Sequence, residues 1–253
     1  MQVVWFKRDL RVEDHRALAA AAARGPVLPL YVVEPGLWRQ PDMAGRHWAF
    51  IGESLEELRA ALARCGQPLV VRVGEVVEVL EELRGRFGLS ALWSHEETGN
   101  AWTYRRDRQV AAWCRARGIA WTELQNHGVT RATASRDGWS QRWDRLMAEP
   151  VASVPALPPV NVDPGGIPEA RELRVAPDPC EGRQAGGRRA GRERLESFLA
   201  TRGETYRSAM SSPLEGAEAC SRLSPHLAWG TLSMREVSQA AQARRRGLRY
   251  AQG

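Results

Sequence analysis

Short runs of apolar residues alternate with amphipathic stretches through the first half of the chain. The runs Val3–Phe6, Val27–Val33, Leu69–Val73, Ala91–Ser94 and Ile119–Leu124 are nearly unbroken and rich in β-branched and aromatic residues, the pattern of strands buried on both faces. Between the first two, Asp14 is placed to cap a helix that runs to Arg24 and stops at Gly25-Pro26. Trp48, Ile51, Leu55, Leu58 and Leu62 recur at three- and four-residue steps, so a second helix turns one face to the sheet. A third carries Val76, Leu80, Leu83 and Phe87. A fourth carries Val110, Trp113 and Cys114 and ends at Gly118. Strand–helix alternation of this kind requires right-handed crossovers, and it predicts a doubly wound parallel α/β sheet over residues 1–135.

The pattern fails after about residue 135. Eight of the 15 prolines fall between Pro150 and Pro179, which predicts an interdomain linker over 136–188, extended along the surface or partly disordered. Helical signals return with Leu195, Phe198 and Leu199, and a further helix is expected from Pro225 to about Arg245. Residues 189–253 therefore read as the beginning of an all-α domain, too short for a sizeable core of its own.

Composition removes several classes of function. The 253 residues are 43% hydrophobic and 26% charged, and no apolar run approaches the length of a membrane span. The amino terminus reaches Lys7-Arg8-Asp9 too soon for a secretion signal, so a cytoplasmic location is expected. Cys65, Cys114, Cys180 and Cys220 lie far apart, which argues against a zinc ribbon or a disulfide framework. There is no Walker A loop, no GxGxxG after the first strand and no internal repeat. The net charge of +6 suits a polyanionic partner or a solvated arginine-rich surface, since Lys7 is the only lysine.

The segment Ser221-Arg222-Leu223-Ser224-Pro225-His226 carries the most specific chemistry. Ser224 is a good N-cap and Pro225 suits the first helical turn, so a helix is expected to begin here. Its free N–H groups, two serine hydroxyls and the Arg222 guanidinium form a set suited to a phosphate or pyrophosphate; a capped helix with a paired arginine is the alternative. The Arg8/Asp9/Arg11 group is expected to form a local ion-pair network at the end of the first strand.

Over most of its length the sequence resembles the DNA photolyase and cryptochrome family. The resemblance rests on Val4-Trp5-Phe6-Lys7-Arg8-Asp9-Leu10-Arg11, on Ser94-His95-Glu96-Glu97-Thr98-Gly99-Asn100 with the following Trp102, Tyr104, Arg106-Asp107 and Val110, on Asn126-His127-Gly128-Val129, and on Tyr206 with Ser221–Ser224. The form of these motifs, including Ala209-Met210-Ser211-Ser212-Pro213, is similar to class III cyclobutane-dimer photolyases. The family's full-length reaction is light-driven, FAD-dependent repair of pyrimidine dimers in damaged DNA.

The resemblance implies that Tyr206 packs near the flavin and that Ser221, Arg222, Leu223 and Ser224 hold the FAD phosphates. One departure is Cys220, where a threonine is common. The resemblance also implies an antenna chromophore in the amino-terminal domain, a pterin such as methenyltetrahydrofolate, with Met43, His47, Glu96, Glu97 and Asn100 as candidate contacts. Family members are about twice this length, so the chain reads as truncated at its carboxyl end, without the residues that complete the flavin pocket and bind the lesion. The rival reading is a pterin- or nucleotide-binding α/β module, or a nonfunctional remnant, without repair activity.

Overall fold

The computed structural model describes the chain apart from Ala132 and residues 251–253, and apart from the side chains of 249 and 250. Its centre is a five-stranded, all-parallel sheet of β1 (Gln2–Phe6), β2 (Val27–Val33), β3 (Val70–Val73), β4 (Ala91–His95) and β5 (Ala120–Leu124), in the order β3-β2-β1-β4-β5. Val3 stands between Leu28 and Leu92, so β1 occupies the middle of the sheet. Successive β1 side chains point to opposite faces. Val4 and Phe6 pack against α1 (Arg16–Ala22) and α3 (Gly45–Arg64), with the short α2 (Pro35–Trp38) between β2 and α3. Val3 and Trp5 pack against α4 (Val76–Phe87) and α5 (Ala101–Arg117). Both faces of β1, β2 and β4 are covered, which is why those strands read as continuous apolar runs, whereas edge strand β5, expected to be buried, is half-buried with Ala120 exposed because no strand pairs with its outer side.

The expected doubly wound α/β fold is present, with one local correction at the start of α1. Asp14 does not cap α1; it sits in the left-handed region at φ 50, and His15 is the N-cap, accepting the Leu18 N–H at its Nδ1. Asp14 instead accepts from the Ala152 N–H and from Arg235.

Beyond β5 the structure holds an element that the sequence pattern did not reveal. Helix α6 (Trp139–Ala148) buries Leu146 and Met147. The proline-rich stretch after it is an ordered strap. The Leu157 N–H donates to Cys65 O at 2.7 Å, Pro164 O accepts from Val71 N at 2.8 Å on edge strand β3, and the Gly187 N–H donates to Ser54 Oγ at 2.8 Å. Prolines are tolerated there because the strap mostly supplies carbonyls and single N–H groups to an existing edge and needs no ladder of its own.

The helical segment comprises α7 (Arg188–Ala200), α8 (Tyr206–Ala209), α9 (Gly216–Ala219), α10 (Ser224–Ala228) and α11 (Met234–Tyr250), with a single 3₁₀ turn at Arg202–Thr205. Leu195, Leu223 and Leu232 form its small core. The single helix expected from Pro225 to about Arg245 is two helices, broken at Gly230 with φ 65. That glycine lies against the Arg8–Asp9 backbone, where a Cβ would collide, so the break lets the helical segment seat on the end of β1. The Leu10 N–H donates to Trp229 O at 3.1 Å and Arg11 Nη1 to Gly230 O at 3.0 Å.

Candidate functional site

In a doubly wound sheet the ligand crevice opens at the carboxyl ends of the strands, where the strand order reverses. Here that place is the ends of β1 and β4, and it is filled by charge. Arg106 on α5 bridges Glu34 Oε2 at 2.7 Å, Glu97 Oε2 at 2.5 Å and Asp107 Oδ1 at 2.9 Å, and its guanidinium lies 4.6 Å from the Trp5 ring centroid. The buried Lys7 ammonium stands 3.5 Å from Glu123 and 3.7 Å from Asp107. Burial pushes the Glu34 carboxyl up to about 7 against the opposing pull of Arg106. Burial works the same way on Glu97, but Arg106, Lys7 and Arg8 hold it below its ordinary range.

The ion-pair network expected at Arg8, Asp9 and Arg11 runs outward to other elements. Arg8 pairs with Glu97 at 3.1 Å, Arg11 donates to the Gly230 and Asp14 carbonyls and to Asn126, and Asp9 faces two histidines. Asp9 Oδ2 lies 2.9 Å from His15 Nε2 and 2.7 Å from His95 Nδ1, and its Oδ1 accepts the Lys7 N–H at 2.7 Å. Burial pushes Asp9 up, yet the two imidazoles hold it well below the usual carboxylate range. Burial, then His15, pushes His95 down to about 3.

These three side chains bring potential ligand atoms within 4.8 Å of one another, but their protonation argues against a metal. His15 Nδ1 already accepts the Leu18 N–H at 3.0 Å, so the ring proton sits on Nε2, the atom a metal would need. The cluster is a buried carboxylate held between two imidazoles, and it fixes the loop that carries Arg8 and Arg11.

The candidate antenna residues fall on two facing loops and, for His47, on the first turn of α3. Asn100 is the N-cap of α5, accepting from the Trp102 and Thr103 N–H groups at 3.1 Å, while its amide donates to Asp42 at 3.0 Å; this brings the Met43 loop beside the end of β4. Met43, His47 and Glu96 are half-buried. Burial, then Arg46, lowers the His47 pKa. Arg131 stands 3.6 Å from Glu96. Glu97 is buried and committed to two arginines, which leaves it less able to meet a ligand than its loop position suggests.

The candidate flavin loop lies on the helical segment. Ser224 is not the cap of α10; Leu223 is, and the helix has five residues, so its dipole is short. Arg222 takes the left-handed conformation, φ 59, and among the described residues no carboxylate lies within ion-pair distance of it, with Glu196 and Glu204 engaged by Arg192 and Arg244. Arg202, which sequence reading missed, fixes this loop. It donates to Arg194 O at 2.9 Å, Glu218 O at 3.2 Å, Cys220 O at 2.5 Å and Ser221 O at 3.4 Å. Burial, then the neighbouring Arg194, lowers the Arg202 pKa, with Arg222 adding to the positive field. Three guanidiniums thus converge on one loop, and the residues present fit an anionic group such as the phosphates of FAD. Tyr206 is exposed and stacks edge-on against Phe198 at 6.0 Å. Beside it opens a cleft of about 550 Å³ whose rim includes Arg202 and Thr205 but also Glu215 and Glu218.

A doubly wound α/β domain with a helical segment locked onto the end of its central strand is the class of architecture these observations define. The DNA photolyase family model matches residues 2–139, and the chain belongs to that family. It is 31% identical to cryptochrome DASH of Natronomonas pharaonis over 258 aligned residues, covering 92% of this chain and 54% of that protein. The fold is similar to a class III photolyase from Agrobacterium tumefaciens, with a TM-score of 0.75 at 22% identity over 94% of this chain and 52% of the other. It is also similar to an archaeal photolyase from Sulfolobus tokodaii described with two FAD molecules, with a TM-score of 0.72 at 24% identity over 96% of this chain and 55% of the other. The chain spans about half the length of the relatives it matches.

Proposed function

We propose that the chain supplies the antenna-type α/β domain (residues 1–135), the strap (136–188) and the flavin-phosphate elements (189–253) of a light-driven, FAD-dependent photolyase that repairs pyrimidine dimers in DNA. The observation that carries this reading is the Arg222 guanidinium, without a carboxylate partner among the described residues and presented by a loop that Arg202 pins through the Glu218, Cys220 and Ser221 carbonyls while also holding Arg194 O on α7. Such a loop holds positive charge at a fixed place before any ligand arrives. Ser221 and Ser224 add hydroxyls, and Tyr206 offers an exposed ring on the same segment.

Family members bind FAD and a second, light-harvesting chromophore. In the family reaction reduced FAD supplies the electron, while the protein binds, orients and sets the electrostatics. In this reading Met43, His47, Glu96 and Asn100 face a pterin across the Asp42–Asn100 contact, and Glu97 holds Arg8 and Arg106 in place. Damaged DNA is the proposed partner, and residues 189–253 suit it with eleven arginines against six acidic residues. Among the described residues no helix is long and apolar enough to cross a membrane.

FAD binding to the purified protein, followed by flavin absorbance, tests this reading: binding that Arg222→Ala weakens supports it, and no binding, or binding indifferent to Arg222→Ala, would overturn it.

A further inference from the structure

A cavity of about 720 Å³ lies between the loop after β5 and the start of α6, and neither the antenna nor the flavin reading uses it. The volume falls within the range of small-molecule sites. Its wall is the Trp139 indole, 45% exposed, beside Val129. An exposed tryptophan is ordinarily mobile, but this one is fixed. Its Nε1 donates to Gly128 O at 3.0 Å, and Trp143 backs it at a centroid distance of 6.3 Å. Gly128 approaches Trp143 so closely that no side chain fits there, so the pair forms one rigid aromatic surface. On the rim, Arg142 donates Nη1 to Asp137 O at 2.8 Å, yet its Nε is buried with no acceptor. Arg136 stands exposed beside it, and Asp137 and Ser140 add polar groups.

We propose that this cavity binds a nucleotide, with the base stacked on Trp139 and the phosphate on Arg136 and Arg142. The two guanidiniums exclude a cationic guest, and a fixed indole face selects a planar ring. Arg142 keeps its Nη2 for the phosphate while Nη1 stays on Asp137 O, and Asp137 can accept an N–H of the base. The site is separate from the flavin loop, so it stands whether or not Arg222 binds FAD.

The test uses the full chain and the anisotropy of labelled oligothymidine, with an abasic phosphodiester of equal length and free thymidine monophosphate as companion probes. Oligothymidine binds more tightly than the abasic strand, and Trp139→Ala abolishes that preference, with about a five- to hundredfold loss expected for one stacked base. Trp139→Phe retains part of it, and Arg142→Gln, which leaves the indole in place, weakens both strands. Arg189→Ala, on α7, lowers both equally and only as far as general charge does. Displacement by thymidine monophosphate identifies the free nucleotide as the ligand, and displacement by the strand alone identifies nucleic acid; both support the proposal. Equal binding of the intact and abasic strands, or undiminished binding by a folded Trp139→Ala or Trp139→Phe variant together with Arg142→Gln, overturns it.

Discussion

The Arg8 guanidinium lies over the Trp229 indole, 4.5 Å from its centroid, and the same guanidinium pairs with Glu97 at 3.1 Å. One side chain thereby joins the end of β1, the loop after β4 and the turn that follows α10. Trp229 is buried, so Trp229→Ala should cost about 3–5 kcal/mol of stability, whereas Arg8→Ala, removing a cation–π contact and an ion pair at a partly exposed site, should cost about 1–2 kcal/mol. In a double-mutant cycle by urea unfolding, a coupling of about 0.5–2 kcal/mol is expected. A coupling of zero would show that the stacking does not contribute.

Glu34 gives the ion network a pH dependence of definite sign. Its folded pKa of about 7 is above the ordinary 4.5, so the folded state holds the proton more tightly. The stability this contributes is complete below pH 4.5 and is lost as pH rises through about 7. Glu34→Gln removes the titration, so the stability of wild type relative to this variant should fall by roughly 2–3 kcal/mol between pH 4.5 and pH 8. Urea midpoints across that range measure it, and a flat difference would contradict the burial argument.

The histidine–aspartate cluster has the opposite sign. His95 is lowered to about 3 and Asp9 lies well below its ordinary 3.8, so both contribute stability that is present above their unfolded pKa values. The His95 part is lost as pH falls from 6.5 toward 3, and the Asp9 part as pH falls below 3.8. His95→Gln should flatten the first of these slopes. Zinc should leave the melting temperature of the wild type unchanged; a rise that disappears in His15→Ala would contradict the assigned tautomer.

Arg202→Ala should loosen the Glu218–Ser221 loop without emptying the α/β core. Four carbonyls lose a shared donor, two at exposed and two at partly buried sites, a change of about 1–2 kcal/mol. Hydrogen exchange should rise at Cys220–Leu223 and stay unchanged in β1. Equal protection in both proteins would mean that the loop is held by other contacts.

The five strands and the helices around the sheet were legible because a two-sided core imposes its period on every element. Less was legible where one residue acts at a distance. Asp14 reads as a cap because aspartate accepts N–H groups well, but its neighbour His15 supplies Nδ1, and Asp14 is drawn instead to Ala152 and Arg235, more than a hundred residues away. Trp139, Trp143, Leu146 and Met147 share a helical face that could have revealed α6, yet the prolines that follow dominate the local composition. Gly230 marked a possible stop, but the apolar spacing resumes at Leu232 and reads through it. Of the flavin loop, Ser221–Ser224 was visible as a motif. Arg202 was not, because its partners are carbonyls whose positions only the folded chain defines.

The central claim is that Arg222 and its loop grip the phosphates of a flavin nucleotide, and it is tested most directly by titrating the protein with FAD and with riboflavin, which shares the ring and lacks the phosphates. FAD should bind more tightly by about ten- to hundredfold, the size of one or two charge-assisted hydrogen bonds, and Arg222→Ala should erase that difference while leaving riboflavin binding as it was. Equal affinity for the two flavins, or an advantage for FAD that survives in Arg222→Ala, would contradict the account.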